Sequence, residues 1–299
     1  MADLSAGIFS GKIGVPRLVK LFKKLEVADR MTWFIPAHSM ETFPAEVNQI
    51  VYSGAEIALH GYSHEGASQL SDEQQRDVLS KCVDLARKLT GKKPVGWRAP
   101  LYQIKESTFA LLEEHGFSYG KRSQCQMALG LKGLISSIDT SLSGHDSEPY
   151  FAPTNPPIAP IDFSKPASSW MYPTQLDLQS KNLVEIPCNW YMEDATPLSY
   201  YPHAANSHGY VDVRLIEDMW KSRFTWLWEN EREISDESQS SFLVFPLVLH
   251  PDTSGMAHVI GMIERFLIWL KGWGEDVEFE RYENIAAAYK KEKQADGNN

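Results

Sequence analysis

The stretch "EIALHGYSH" (residues 56–64) joins a short apolar run to two histidines four residues apart. Residues 57–59 have the composition of a buried strand, which places His60 at the carboxyl end of that strand and His64 one turn further on. Functional sites of α/β sheets and barrels form at that end. Neutral imidazole is a good zinc ligand, and both rings could reach one ion if the chain turned helically after His60. The alternative is one packed and one solvated histidine.

Two further apolar runs end in residues that a hydrophobic core does not need. "FLVFPLVLH" (242–250) places His250 at its end, and "VGWRAP" (95–100) places Arg98 at another. Burying an unpaired cation or imidazole costs free energy, so three such strand ends together favour a functional site. The alternative is that Arg98 pairs with a structural carboxylate and that His250 caps a helix.

Apolar runs alternate with helical patterns along the chain, which indicates an α/β fold with a mainly parallel sheet. The strand candidates are 31–37, 56–62, 95–100, 183–191, 242–250 and 277–282. Ser71 and Gln74 form a capping-box pattern, and Gly91 ends the apolar periodicity of the helix that follows. The other predicted helices are 16–25, 108–115, 213–228 and 258–270, and their aromatic residues Trp220, Phe224 and Trp228 are expected in the core.

Composition limits the class of protein. The 299 residues, 43% of them hydrophobic, can bury a sizeable core, and we expect one domain over residues 1–299. A formal net charge of −10 without long charged blocks argues against nucleic acid or an anionic membrane as partner. No secretory or membrane-spanning pattern is visible, so a cytoplasmic location is expected. Three cysteines without CxxC spacing predict buried free thiols rather than disulfides or a thiolate zinc site.

Three segments break the rhythm. Residues 149–173 are rich in proline and predict an extended surface loop that cannot join a sheet interior. Residues 120–138 have a weak pattern that matches neither neighbour, and residues 291–299 are expected to be a disordered tail.

The order of these motifs resembles a known family, the polysaccharide deacetylases with a NodB homology domain, which are similar to carbohydrate esterase family 4. Within it, the chain is most similar to the intracellular branch of peptidoglycan-deacetylase-like proteins, cyclic imide hydrolases and allantoinase-like enzymes. The motifs are "TWFIPAHSMETFP", "GAEIALHGYSHE", "GWRAP", "IDTSLSGHDSEPY", "VEIPCNWYMED" and "LVLHPDTSG", which span almost the whole chain. The resemblance implies a distorted (β/α) barrel that hydrolyses carbon–nitrogen bonds other than peptide bonds, usually with zinc or another divalent ion.

The resemblance also implies roles for individual residues. His60 and His64 would be the two imidazole ligands of the metal. His250 would be the general acid that protonates the leaving nitrogen, and Arg98 would orient an acidic neighbour. The substrate pocket would be shaped by Asn189, Trp190 and Tyr62. The mechanism implied is metal-assisted hydrolysis, in which the ion polarises the carbonyl and activates water.

One departure from the family concerns its carboxylates. The family adds an aspartate to the two histidine ligands and uses a neighbouring aspartate as base, both from a D-x-D segment on the first barrel strand. The match here begins at "DLSAGIFSGKIGVPRL", so that strand is expected to be missing, and Asp3 is the only acid nearby. Three explanations remain: the gene model begins too late, the protein works without the usual metal, or it is a non-catalytic relic. We favour the first.

A second departure is the segment 120–138. Deleting it would restore the family-like run "FSYDTSLSGHDSEPY", and the codons at its two ends can contain splice-donor and splice-acceptor sequences. We therefore expect a retained or mispredicted intron, with a genuine loop insertion as the alternative. Either should contribute little to the core.

The function expected from the sequence is a metal-dependent amidase or deacetylase. Its substrate would be a small amide, such as a cyclic imide, or an N-acetylated sugar, and the absence of a secretion signal tilts the expectation toward the small amide. The alternative is a catalytically impaired binding or scaffold protein. The resemblance also allows a homo-oligomer.

Overall fold

The computed structural model describes residues 2–117, 137–139, 142, 144–153, 162–171, 179–188, 190–200, 209, 211–231 and 240–296. Its strands form one six-stranded sheet with the order β1-β2-β3-β4-β6-β5. The strands are β1 (Thr32–Ile35), β2 (Glu56–Leu59), β3 (Gly96–Arg98), β4 (Ser137–Asp139), β5 (Tyr150–Pro153) and β6 (Gln179–Glu185). All neighbours pair in parallel except β5 and β6, which are antiparallel. The mixed α/β class predicted from the sequence is confirmed.

Helices precede and connect these strands. They are α1 (Ala2–Phe9), a π-helical segment (Ser10–Gly14), α2 (Val15–Lys24), α3 (Ala37–Thr42), α4 (Pro44–Val51), α5 (Asp72–Thr90), α6 (Glu106–Glu114), α7 (Ala195–Leu198), α8 (Val213–Asn230), α9 (Pro251–Ser254), α10 (Ile260–Lys271) and α11 (Tyr282–Asp296). The capping box at Ser71 and the left-handed Gly91 bound α5 as predicted, because both satisfy backbone groups at its ends. Among the described helices, none is long and apolar enough for a bilayer crossing.

Two apolar cores pack beside the sheet. The first joins β2 and β3 to α5 and α6 through Leu59, Trp97, Leu79 and Leu112. The second joins α2, α8 and α10, and there Trp220 and Phe266 are fully buried. Phe224 is buried and Trp228 packs against the same core, which confirms the prediction for the helix aromatics. Cys82 and Cys188 are buried free thiols, while Cys125 lies outside the described residues.

Two predicted strands are wrong. Residues 242–250 form no ladder, and only Val248 makes an isolated bridge, to Glu193. Pro246 lies in the middle of this run and lacks the N–H that a ladder would need. Residues 277–281 are also not a strand, and α11 begins at Tyr282, where Thr32 and Glu56 side chains accept hydrogen bonds from its first backbone N–H groups.

The three irregular segments are also more ordered than predicted where the structure describes them. Residues 150–153 of the proline-rich segment form β5, although at the sheet edge, where proline is tolerated. Residues 137 and 138 pair within β4, between β3 and β6, so the end of segment 120–138 does contribute to the sheet. The rest of that segment lies outside the described residues. The disordered tail predicted from residue 291 is wrong as far as Asp296, where α11 ends.

Closure of the sheet into the expected barrel is not seen among the described strands, which form an open sheet that begins at β1. The parallel ladders nevertheless place the carboxyl ends of β2 and β3 side by side, with Leu59 opposite Trp97. His60 therefore follows β2 and Arg98 ends the neighbouring strand β3, at the same end of the sheet, as the sequence indicated.

Candidate active site

The turn after β2 brings the two histidine rings together without forming a helix. Gly61 and His64 both have left-handed backbone angles, with φ of +68° and +67°. A β-carbon on Gly61 would lie 2.9 Å from the Glu65 carboxylate and 3.0 Å from Pro100, so glycine fits best there. The chain therefore does not turn helically after His60, which was the condition under which the spacing alone would bring both rings to one ion. The two rings nevertheless lie side by side, because the ring centres of His60 and His64 are 4.7 Å apart.

Glu65 fixes this turn from inside. Its two carboxylate oxygens accept the backbone N–H groups of Tyr62 (2.8 Å) and Ser63 (2.6 Å), and one also accepts the Ser63 hydroxyl (2.7 Å). These bonds satisfy donors that a non-helical turn would leave unpaired and keep the pKa of Glu65 below its usual range, although burial opposes this. The turn is held by side-chain chemistry that the HxxxH spacing does not reveal.

The surroundings of His60 and His64 keep both imidazoles neutral. Burial lowers the pKa of His60 well below its usual value, and the charges of Arg98 and His250 lower it further, although the hydrogen bond to the Arg98 carbonyl opposes this. Burial and His250 lower the pKa of His64 in the same way. The Nδ1 of His60 lies 3.1 Å from the Arg98 carbonyl, which can only accept, so Nδ1 carries the proton and Nε2 keeps its lone pair. This is the state that ligates a metal.

Arg98 ends β3 with its side chain buried among aromatic rings. Its guanidinium lies 4.5 Å from the centre of the Phe34 ring and 5.8 Å from that of Tyr282, and it donates to the Tyr282 hydroxyl at 3.2 Å. Stacking of this kind suits a planar, weakly hydrated cation. The same residue thus presents a carbonyl to His60 and places a fixed positive charge beside it.

His250 has the opposite electrostatic environment. Its Nδ1 lies 2.7 Å from Asp194 Oδ1, and its backbone N–H also donates to the Asp194 carboxylate. Burial alone would lower the pKa of His250, but the charge of Asp194 and its hydrogen bond outweigh that effect and raise it to about 9. His250 is therefore a cation at neutral pH. Its Nδ1 proton points at Asp194, which leaves the Nε2 proton for a substrate.

Asp194 is the functional residue that the sequence did not identify. Its side chain is fully buried, and its second oxygen accepts from the Ser254 hydroxyl. The bridge between Glu193 and Val248 sets the two segments side by side, with Asp194 N–H donating to the Val248 carbonyl. The residue lies in the quoted motif "VEIPCNWYMED", but 56 positions separate it from His250, and no local pattern connects them.

Of the three residues predicted to bind substrate, the structure describes Trp190 and Tyr62. Trp190 is 52% exposed and packs edge-to-face on Tyr102, with ring centres 4.3 Å apart. Asn189 lies outside the described residues. The Tyr62 hydroxyl instead donates to Glu41 at 2.7 Å, and Lys81 Nζ lies 4.1 Å from its ring centre. A substrate-binding role for Tyr62 stays a prediction.

His60 and His64 supply part of the ligand set that a divalent metal ion needs. Two adjacent neutral imidazoles are two of the three protein ligands that a catalytic zinc ion commonly takes. Within the described part of the chain, no group of three or more His, Cys, Asp or Glu side chains is placed to hold an ion. His60 and His64 could therefore hold a metal only together with a further ligand.

Comparisons with known proteins identify the family of the chain. A family model described as polysaccharide deacetylase matches residues 11–120. A peptidoglycan deacetylase-like protein from Gibberella zeae is 52% identical over 97% of this chain and 79% of its own length. The peptidoglycan deacetylase of Helicobacter pylori is 36% identical over 89% of this chain and 80% of its own.

The fold has solved counterparts. A crystal structure from Mycobacterium smegmatis, described as a polysaccharide deacetylase, superimposes with a TM-score of 0.70 at 20% identity, covering 98% of this chain and 82% of that one. At this identity the likeness establishes the fold alone, which is that of the NodB-type deacetylases.

Proposed function

The chain belongs to the polysaccharide deacetylase family, and we propose that it hydrolyses the acetamide carbon–nitrogen bond of an N-acetylated amino sugar. The two relatives, one named a peptidoglycan deacetylase and the other a peptidoglycan deacetylase-like protein, support this substrate over a small cyclic amide. The observation that carries the proposal is the contrast within the site. His250 is paired with Asp194 at 2.7 Å, which raises its pKa, whereas the adjacent rings of His60 and His64 have lowered pKa values.

His250 is proposed to act as the general acid. Hydrolysis adds water to the acetyl carbon, and the carbon–nitrogen bond then breaks with its electron pair going to nitrogen. The Nε2 proton of His250 passes to that nitrogen, and the two protons lost by the attacking water go to solvent, from which His250 is reprotonated. The products are a free amine, acetate and one proton. Asp194 fixes the ring orientation and stabilises the imidazolium, as a buried carboxylate does beside a catalytic histidine.

His60, through its Nε2 atom, and His64 are proposed to hold a divalent ion such as zinc together with a further ligand. When bound, such an ion acts as a Lewis acid toward the acetyl oxygen and lowers the pKa of water. The Arg98 carbonyl supports this by fixing the His60 tautomer, a common arrangement around metal-binding histidines. The Arg98 guanidinium adds a fixed positive charge that favours carboxylates or developing negative charge near the site.

The direct test is acetate release from chitotetraose carrying four N-acetyl groups, measured with the full chain and added zinc. We expect acetate release that a chelator abolishes and that zinc restores, and that His60→Ala eliminates. His258→Ala is the matched control, because His258 is an exposed histidine with no part in the site. Acetate release that persists in His60→Ala, or no release by the zinc-loaded chain, would contradict the proposal.

A further inference from the structure

The loop after β3 holds two consecutive residues in a conformation that side chains other than glycine rarely adopt. Leu101 and Tyr102 have φ of +54° and +56°. Left-handed backbone at non-glycine residues persists only where the surroundings hold it, and it is concentrated at functional sites. Contacts of the Tyr102 side chain hold this conformation, which also leaves neighbouring apolar side chains exposed.

A buried carboxylate holds it. The Tyr102 hydroxyl donates to Glu193 Oε2 at 2.9 Å, and Glu193 is only 3% exposed. The other oxygen of Glu193 accepts from the Thr196 hydroxyl, so both oxygens are engaged. The backbone of Glu193 is fixed by its bridge to Val248. The tether therefore connects the loop after β3 to the segment that carries Asp194.

The conformation presents an exposed aromatic surface. The Tyr102 ring meets Trp190 edge-to-face at an interplanar angle of 66°, and Leu101 beside it is 47% exposed. The Trp190 segment is itself anchored, since buried Trp220 donates its indole N–H to the Tyr191 carbonyl at 3.0 Å. Rigidly held apolar side chains that remain exposed are typical of binding surfaces.

The chain segments that carry this surface also carry residues of both halves of the site. Pro100 leads into the loop, directly after the segment whose Arg98 carbonyl binds His60. On the other side, Glu193 is adjacent to Asp194, which holds His250. A ligand resting on the Tyr102–Trp190 pair would therefore adjoin both the imidazole pair and the general acid.

We infer that Glu193 is a positioning residue that, through Tyr102, holds the Tyr102–Trp190 pair as a stacking surface for a pyranose ring of the sugar substrate. The inference rests on the proposed function and adds to it the surface that recognises the sugar ring of its substrate. The carbon-bound hydrogens on one face of a pyranose form an apolar, slightly positive surface that complements the negative face of an aromatic ring. A small planar amide would not need this surface.

The test compares two acetamides and four variants of the full chain. The substrates are N-acetylated chitotetraose and p-nitroacetanilide, which carries an acetamide but no sugar. Tyr102→Ala removes the ring, Tyr102→Phe keeps the ring but loses the tether, and Glu193→Gln keeps an acceptor for the tyrosine hydroxyl. Tyr52→Phe is the matched control, because Tyr52 is 81% exposed on another part of the surface.

For chitotetraose, we expect Tyr102→Ala to raise KM and the calorimetric Kd about tenfold, and Tyr102→Phe about threefold. The kcat should stay within about twofold, and kcat/KM for p-nitroacetanilide should be unchanged. Glu193→Gln should bind chitotetraose like the Tyr52→Phe control. Melting temperatures of all variants report whether each still folds, and Tyr102→Phe retains enough packing to decide the question if Tyr102→Ala does not.

Equal losses on both substrates, or an unchanged Kd for chitotetraose in both Tyr102 variants, would overturn the inference. So would a wild-type chain that does not bind chitotetraose. If wild type binds chitotetraose but hydrolyses neither acetamide, the proposed function fails, and the Kd series still decides whether the stacking surface exists.

Discussion

Two histidines of the site, His60 and His250, are both at least partly buried, yet their surroundings shift the ring pKa in opposite directions. His60 has a neutral carbonyl as partner and cationic neighbours, and its pKa falls. His250 has a carboxylate as partner, and its pKa rises to about 9. In the function we propose, the same side chain, placed after an apolar run in both segments, would ligate a metal in one environment and donate a proton in the other. Burial lowers the pKa of both rings, and only His250 has a carboxylate partner whose charge and hydrogen bond outweigh that effect.

The largest effect should come from removing the acid. His250→Asn deletes the proton donor, and we expect kcat for acetate release to fall by about 10²- to 10⁴-fold. Asp194→Asn keeps the imidazole but removes the charge that holds it protonated, so a loss of about 10²-fold is expected. Steady-state assays on chitotetraose measure both. His258→Asn should retain full activity, and near-normal turnover in Asp194→Asn would show that the pair does not function as described.

The proposed metal-binding role of the two neutral histidines can be tested by removing either ring. His60→Ala and His64→Ala each leave one imidazole, and we expect zinc affinity to fall about 100-fold in either variant. Titration calorimetry with zinc alone, on the full chain at neutral pH, provides the measurement. The control His258→Ala should bind zinc like the wild type. Unchanged affinity in the two site variants would place the ion elsewhere.

Glu56, at the opposite end of the sheet, is a third buried titratable group whose partners determine its pKa. Glu56 is 6% exposed, and its partners are the neutral Thr32 hydroxyl and the Glu283 backbone N–H. Because burial outweighs these bonds, its pKa rises to about 7. A raised pKa in the folded state means that Glu56 costs no stability below about pH 4.5, and that the cost grows as pH rises through 7.

Glu56→Gln should therefore increase the free energy of unfolding by about 1 to 3 kcal/mol at pH 8 and leave it nearly unchanged at pH 4.5. Urea denaturation at the two pH values measures the difference. Glu46→Gln is a control of opposite sign, because Lys12 Nζ lies 2.8 Å from Glu46 and lowers its pKa. A gain for Glu56→Gln at pH 4.5 equal to that at pH 8 would mean that its charge is not the cause.

The smallest effect concerns the stability that the His250–Asp194 pair provides. Because the folded-state pKa of His250 is raised, this stability is fully present below about pH 6.5 and is lost as pH rises to about 9. The His250 side chain is 34% exposed, so solvent screening limits the contribution to about 1 kcal/mol. The stability difference between wild type and Asp194→Asn, measured without metal, should shrink between pH 6 and pH 9.5. A constant difference would contradict the pairing.

Features that depend on a local pattern could be predicted from the sequence, and features that depend on contacts between distant segments could not. β1, β2 and β3 were predicted because each is a compact apolar run, and α5 because its caps are local. The positions of His60, Arg98 and His250 followed from the strand-end rule, although the run before His250 turned out not to be a strand. What decides their chemistry is contacts between distant segments, above all Asp194 with His250, which no periodicity encodes.

Tertiary contacts also account for the wrong predictions. Residues 277–281 have strand composition, but hydrogen bonds from α11 to Thr32 and Glu56 begin a helix directly after them. The turn from Gly61 to His64 is determined by Glu65, whose carboxylate replaces the hydrogen bonds of a helix. In both segments, side chains supply backbone partners that a pattern of apolar residues cannot show.

The most direct test of the central claim is a pH titration of the histidine ring nitrogens by ¹⁵N NMR, with metal-free protein. His60→Ala, His64→Ala and His250→Asn would identify the three signals. At pH 7, the account predicts neutral rings for His60 and His64 and a protonated ring for His250, which loses its proton near pH 9 and at distinctly lower pH in Asp194→Asn. A His250 ring that is already neutral at pH 7 in the wild-type protein would contradict it.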